Sequence, residues 1–301
     1  MCGVLEVARS SYYKWIHREE TLLEKQNQEL CQLIVDYDEL FGHILGYRRM
    51  TDWINTLNHF QYNYKRIRRL MKLLGIQAKI RIKSKRYIKS TPEVTAENLL
   101  NRDFFAAQPN EKWLTDVTEF KVKGSRKKLY LSAILDLYDL SIVAHQVSAS
   151  NNNALVFQTY EKAVESYPEA KPLFHSDRGF QYTNRVFQKK LKNRGITQSM
   201  SRVARCIDNG PMEGFWGNLK SEMYYLKEFE SHQELKQAIE DYIHFYNHLR
   251  LQKRFNNQSP IMVRERALQT SNPDNYPIPI NKKIETYWNN VRQKQSTTLQ
   301  T

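Results

Sequence analysis

The feature that most constrains this chain is the order in which two hydrophobic periodicities follow one another between residues 113 and 222. Trp113-Leu114-Thr115-Asp116-Val117-Thr118-Glu119-Phe120 is β-branched and aromatic and reads as a strand over 113–123. A basic turn, Lys123-Gly124-Ser125-Arg126-Lys127-Lys128, leads into a second strand at 129–138 and a third at 141–148. The pattern then alternates: a helix over 153–166, a short apolar run ending at Asp177, a helix from Thr183 to Arg194, a strand near Ile196–Met200 and a last helix opening at Gly210-Pro211. A three-strand meander followed by alternating helices and strands requires an α/β fold on a mixed sheet.

Three acids stand at informative places in that frame. Asp177 follows Pro172-Leu173-Phe174-His175 and precedes Arg178-Gly179, so it lies at the carboxyl end of a strand, where the crevice of an α/β sheet takes its ligands. Glu213 falls in the first turn of an amphipathic helix whose apolar series is Met212, Phe215, Leu219 and Met223, with Pro211 at the first helical position. Lys220, seven residues on, shares its face; Glu222 points about 180° away at 3.6 residues per turn. Asp116 alternates with Thr118 and Phe120 on one face of its strand, and Glu119 faces the other way. Three hard oxygen donors from two strands and a helix suit magnesium or manganese, and two such ions support phosphoryl transfer.

The blocks TDVTEF, HSDRGFQY and DNGPMEGFWGNLKSE resemble the Asp, Asp and Glu blocks of DDE transposases and retroviral integrases. Asp177 and Glu213 are separated by 35 residues (213 − 177 − 1), the spacing of the D,D(35)E signature. The chain is identified as a member of the OrfB transposases of the insertion sequence three family, the resemblance running from about Met1 to Arg266. It implies an RNase H-like (integrase core) sheet in which the strands of Asp116 and Asp177 are neighbours. It further implies Asp116, Asp177 and Glu213 as catalytic metal ligands, two Mg2+ (or Mn2+) ions, and Lys220 at the family's basic position beside the scissile phosphate. His175, Arg178, Tyr182 and Asn209 flank the acids and are expected to position DNA or water, or simply to pack. As partners the resemblance implies DNA ends and target DNA, a homo-oligomer on that DNA, and fusion to or association with an upstream OrfA product.

The net charge of +14 implies a polyanionic partner, since each lysine or arginine set against a phosphate releases condensed counterion. No apolar run reaches 18 residues, and the first apolar residues are interrupted by Glu6, Arg9 and Lys14, which argues against a membrane span or signal peptide and leads us to expect a cytoplasmic protein; the family resemblance implies a bacterial, nucleoid-associated one. Cys2, Cys31 and Cys206 form no CxxC pair, so structural zinc is not expected.

The basic charge is concentrated. From Trp53 to Pro92 the chain has eleven lysines and arginines and no acid. Gly46-Tyr47-Arg48-Arg49-Met50 opens one helix, and Asn63 caps a second over Tyr64–Leu74, stopped by Gly75. Its buried stripe is read as Ile67, Leu70, Met71 and Leu74, which leaves Lys65, Arg66, Arg68, Arg69 and Lys72 for DNA. The pattern resembles the helix-turn-helix domain that precedes the core in OrfB proteins, and DNA binding is assigned to 40–90, including Arg48 and Arg49. Residues 1–39 read as an N-terminal helical segment with Ser10 as N-cap, part of a helix-turn-helix. Residues 76–83 are either an edge strand or a basic arm, and 91–108 are the linker.

The catalytic core is assigned to 109–268. Ser231-His232-Gln233-Glu234 reads as a capping box for a helix to about Leu249. His244 and His248 stand at i, i+4 without a third metal ligand. Tyr246-Asn247, Arg250 and Ser259-Pro260 resemble the family's C-terminal block, and 269–301 is expected to be a disordered tail. A nuclease of the same fold without strand joining, and an inactive DNA-binding scaffold, are the alternatives.

Overall fold

In the computed structural model the chain divides into two compact units, Met1–Arg81 and Ile82–Thr301; the structure describes residues 8–79, 99–100, 103–201 and 209–276.

The first unit is helical: α1 (Arg9–Ile16), α2 (Leu22–Leu40), α3 (Tyr47–Asn58) and α4 (Tyr64–Leu73). Its core joins Leu30 and Ile34 of α2 to Met50, Trp53 and Ile54 of α3 and to Ile67, Leu70 and Met71 of α4. α4 begins where the Asn63 side chain accepts the Lys65 N–H and is followed by Gly75 at φ +69°, a left-handed turn that glycine adopts without a Cβ clash. Leu74 is 37% exposed and does not extend the buried stripe, because the helix stops at Leu73. Ser10 lies inside α1; Ala8 is the N-cap, with no side-chain bond, and α1 buries nothing. The reciprocal capping box of this unit is instead Thr21 with Glu24. Within 76–83, residues 76–79 form no strand, Lys79 N–H bonding His43 O at 2.9 Å, and the remainder lies outside the described residues.

The second unit is a five-stranded mixed sheet, order β3-β2-β1-β4-β5, from β1 (Lys112–Lys121), β2 (Lys128–Asp136), β3 (Ile142–Ser148), β4 (Leu173–Ser176) and β5 (Thr197–Met200). The first three strands pair antiparallel; β1–β4 and β4–β5 are parallel. α5 (Asn153–Ser166) and α6 (Arg185–Asn193) cover one face, on Trp113, Ile134, Ala144 and Phe174. α7 (Gly210–Leu219), α8 (His232–His244) and α9 (Pro260–Leu268) cover the other, on Leu114, Phe120, Leu131 and Leu135. α7 and α8 each run into a π-helical turn, Lys220–Tyr224 and Phe245–Leu249. Ser231 caps Glu234 N–H, but the Glu234 carboxylate reaches the Glu230 N–H, so the expected box closes one residue early.

Two stretches read as loose carry core residues. Leu100 and Ala106, in the expected linker, are buried, and Leu100 N–H bonds Ser199 Oγ. Tyr276 packs against Tyr138 and Phe255, whereas 277–301 lie outside the described residues.

Candidate active site

The parallel pairing of β1 with β4 ends with Leu114 opposite His175, two residues before Asp116 on one strand and two before Asp177 on the other. β4 ends at Ser176 because Asp177 turns the chain: its Oδ1 accepts the Gly179 N–H at 2.9 Å, an Asx turn. A Cβ at Gly179 would lie 3.0 Å from both Asp177 Oδ1 and Gln181 Oε1, so a larger residue there would have to push the Asp177 carboxylate aside.

Asp116 faces α7. Its Oδ2 accepts the Trp216 indole N–H at 3.0 Å and its Oδ1 the Val117 N–H at 2.8 Å. Trp216 is one turn past Glu213, so this bond and the burial of Met212, Phe215 and Leu219 fix the first turn of α7 over β1. Loss of hydration, then the negative charge of Asp177, pushes the half-buried Asp116 carboxyl up to about 7; the two N–H donors oppose this, and Glu213 adds a smaller push. Asp177 and Glu213 are exposed by area, yet their carboxyls sit among enough protein that desolvation raises both pKa values. Among the described residues, no lysine or arginine forms an ion pair with any of these acids, and no three His, Cys, Asp or Glu side chains cluster tightly enough to hold one metal ion.

The flanking residues divide by role. Lys220 is half-buried with Nζ 5.3 Å from the Phe120 ring; burial lowers its pKa against the pull of Glu119 and Asp116. Asn209 donates to Thr115 O at 3.2 Å, and its Oδ1 is buried without a partner. Arg178 Nε donates to Ser201 O at 2.7 Å. His175 and Tyr182 are packing residues: the imidazole bridges Ser199 Oγ and Ser201 Oγ, tying β4 to β5. Tyr182 is buried on the opposite sheet face, with its hydroxyl on Thr115 Oγ1.

In the helical unit, Lys65, Arg68, Arg69 and Lys72 are exposed along α4, and Arg48 and Arg68 flank the Tyr47 ring at 5.7 and 5.4 Å. Arg49 and Arg66 are drawn inward, to Ile44 O and to Asn27 Oδ1.

Sequence reasoning missed three groups. Trp216 had no signal beyond its offset from Glu213. Glu222 takes a two-pronged bond from Arg250 (2.8 and 2.9 Å) and the Tyr242 hydroxyl, which braces the π turn after α7. Asp136 and Asp139 are fully buried and both bond Arg264 Nη1 at 2.9 Å. The last had a usable signal: two acids within the apolar run Ile134-Leu135-Asp136-Leu137-Tyr138-Asp139-Leu140 demand a buried cation.

A mixed sheet of this order, flanked by helices on both faces with acids at adjacent strand positions, is an integrase-type core. The integrase core domain family matches residues 106–206, a second integrase core family 213–268, and the HTH-like domain family 25–84. A transposase-like protein of Haemophilus influenzae is 43% identical over 206 residues, 68% of this chain and 94% of that one. The transposase InsK for insertion sequence element IS150 of Escherichia coli K12 is 41% identical over 223 residues, 74% of this chain and 78% of that one. The HTLV-2 integrase catalytic core, solved with magnesium, matches 51% of this chain and 95% of that one at TM-score 0.41 and 20% identity. The chain belongs to the transposases of the insertion sequence three family. It is a DDE-type transposase acting in DNA transposition and integration, with DNA as partner. Among the described residues no helix is long and apolar enough to cross a membrane. The integrase core is a fold that generally depends on a divalent metal.

Proposed function

We propose that Asp116, Asp177 and Glu213 carry the strand cleavage and strand transfer of this transposase, holding two magnesium or manganese ions. The single observation that supports this most is the juxtaposition of the acids: β1 pairs with β4 just before Asp116 and Asp177, and the Trp216 bond to Asp116 sets the first turn of α7, with Glu213, beside them, where burial and Asp177 push Asp116 up to about 7. A divalent cation offsets that repulsion, and carboxylate oxygens are the donors magnesium and manganese prefer. The pair Asp116 and Asp177 suits one ion, and Glu213, whose charge reaches Asp116 more weakly, would complete a second. When bound, such ions supply an activated attacking oxygen and stabilise the departing one.

The chain's own residues orient the DNA for two in-line displacements. Water displaces the 3′-oxygen at the element's end, leaving a 3′-hydroxyl and a 5′-phosphate. That hydroxyl then attacks a target phosphodiester, exchanging one phosphate ester for another with no covalent enzyme intermediate. Lys220, partly dehydrated beside Phe120, is set to meet a phosphate near the scissile bond; a desolvated ammonium interacts more strongly than one in water. Lys65, Arg68, Arg69 and Lys72 of α4, with Arg48, serve DNA binding, and Arg49 and Arg66 act by holding α3 and α4 in place. A homo-oligomer on DNA, association with an upstream OrfA product, and a place at the bacterial nucleoid belong to the same reading.

The test is incubation of the purified chain, and of a fusion with any upstream frame, with labelled end DNA and magnesium. The proposal expects metal-dependent nicking and joining, abolished in Asp177→Asn and Glu213→Gln. Cleavage without joining would favour the nuclease reading, and activity surviving in either variant would remove these acids from the chemistry.

A further inference from the structure

Beyond the acids, β1 continues for five residues to Lys121, about 17 Å at ~3.3 Å per residue, or about five nucleotide steps of B-form strand. The chain after α7 follows the same line. The Tyr224 hydroxyl accepts the Lys121 N–H at 3.0 Å and donates to Lys121 O at 2.8 Å, and Lys123 N–H bonds Phe229 O. Between them runs an open groove lined by lysines 121, 123 and 227 and by Tyr224, Tyr225 and Phe229.

Its floor is aromatic. Tyr224 lies edge-on to Phe120, the ring under Lys220, and parallel to Phe229 at 6.1 Å. Tyr225 leans on Tyr224 at 5.3 Å and is 56% exposed, a large ring left mostly in water. Its rim is basic. Lys121 has no ion pair among the described residues; Lys123 pairs with Glu228, and Lys227 with Glu234 while its Nζ sits 4.8 Å over Phe229. Exposed pairs of this kind are worth at most about 1 kcal/mol, so phosphates can displace the glutamates. Arg126 and Lys127 extend the basic edge into the β1–β2 turn.

We propose that this groove holds the DNA strand leading away from the acids, with Tyr225 stacked on an unpaired or turned-out nucleobase and Lys121 and Lys227 on the neighbouring phosphates. Sequence-tolerant stacking between lysines is how proteins grip single strands. The inference rests on the reading of the acids above, because it takes their position as the origin from which the strand runs.

The experiment places 2-aminopurine singly at the third to seventh nucleotides from the scissile bond of end DNA and reads its fluorescence on binding the full chain. Wild type and Tyr225→Phe are expected to quench one or two adjacent positions strongly. Tyr225→Ala is expected to lose most of that quenching and to bind about tenfold more weakly. Lys121→Ala with Lys227→Ala should lower the slope of log K against log salt by about 1.5. An unchanged quenching profile in Tyr225→Ala overturns the proposal. So does a Tyr225→Ala variant whose only change is in sedimentation, which assigns the groove to a second copy of the chain. If DNA is cut and joined normally but quenching ignores Tyr225, this inference alone falls. If quenching follows Tyr225 while Asp177→Asn still cuts, the assignment of the acids falls instead.

Discussion

The second unit contains two pairs of aspartates in neighbouring positions, and they are treated in opposite ways. Asp136 and Asp139 are fully buried at the end of β2, where burial and each other's charge push Asp139 up to about 7. A full positive charge is supplied to them: Arg264 of α9 bonds both carboxylates, and its remaining donors go to the Tyr167 hydroxyl and to Asn110. Asp116 is pushed to the same level by the same two causes, with Asp177 as its neighbour. There the protein supplies no ion pair, only the neutral N–H groups of Trp216 and Val117 and, at longer range, the charge of Lys220. Equal chemistry with unequal compensation separates an acid pair held for the fold from one that, on the reading proposed above, is left open to a cation from outside.

The largest effect is expected where the compensation is built in. Arg264→Met leaves two buried carboxylates without their cation and should cost about 3–5 kcal/mol in urea unfolding, with part regained on adding Asp139→Asn. A loss below about 1 kcal/mol would mean that Arg264 does not hold the pair.

The open pair predicts a pH dependence. The Asp116 pKa is raised in the folded chain, so the stability its protonated form gives is fully present below the unfolded value near 4 and is lost as pH climbs to about 7. Metal-free stability should therefore fall across pH 4–7, and Asp116→Asn should flatten that fall by on the order of 2 kcal/mol. An identical slope in the variant would show that the carboxyl is not perturbed.

A comparable effect lies between the two regions. Arg250→Lys keeps the charge but loses the two-pronged bond to Glu222 that braces the turn after α7, and about 1.5–3 kcal/mol of stability with it. Because α7 carries Glu213, the same variant should lower joining activity out of proportion to its folding loss. The smallest effect is outside the comparison, on α4. Lys65→Ala, Arg68→Ala or Lys72→Ala should each lower the salt slope of DNA binding by about 0.9, and Arg66→Ala should lower stability instead.

The contrast between the pairs also marks what the residues alone could disclose. Strand positions 113–148 and the helix at 153–166 were legible because period and order are local properties; that the strands of Asp116 and Asp177 are neighbours came only from the family resemblance. The ionic lock was not, since Asp136 and Arg264 lie 128 residues apart and only the sheet's closure by α9 brings them together. Trp216 and Arg250 were hidden for the same reason: each acts through a partner on another element. The basic residues of α4 were legible as a set, but charge alone could not separate Arg66, turned to Asn27, from Arg68, left outside.

The most direct test of the open pair is Mn2+ binding, followed by electron paramagnetic resonance on the full chain with end DNA. The account predicts bound Mn2+ in the wild type, weakened at least tenfold in Asp116→Asn and Asp177→Asn. Equal Mn2+ binding by wild type and both aspartate variants would contradict it.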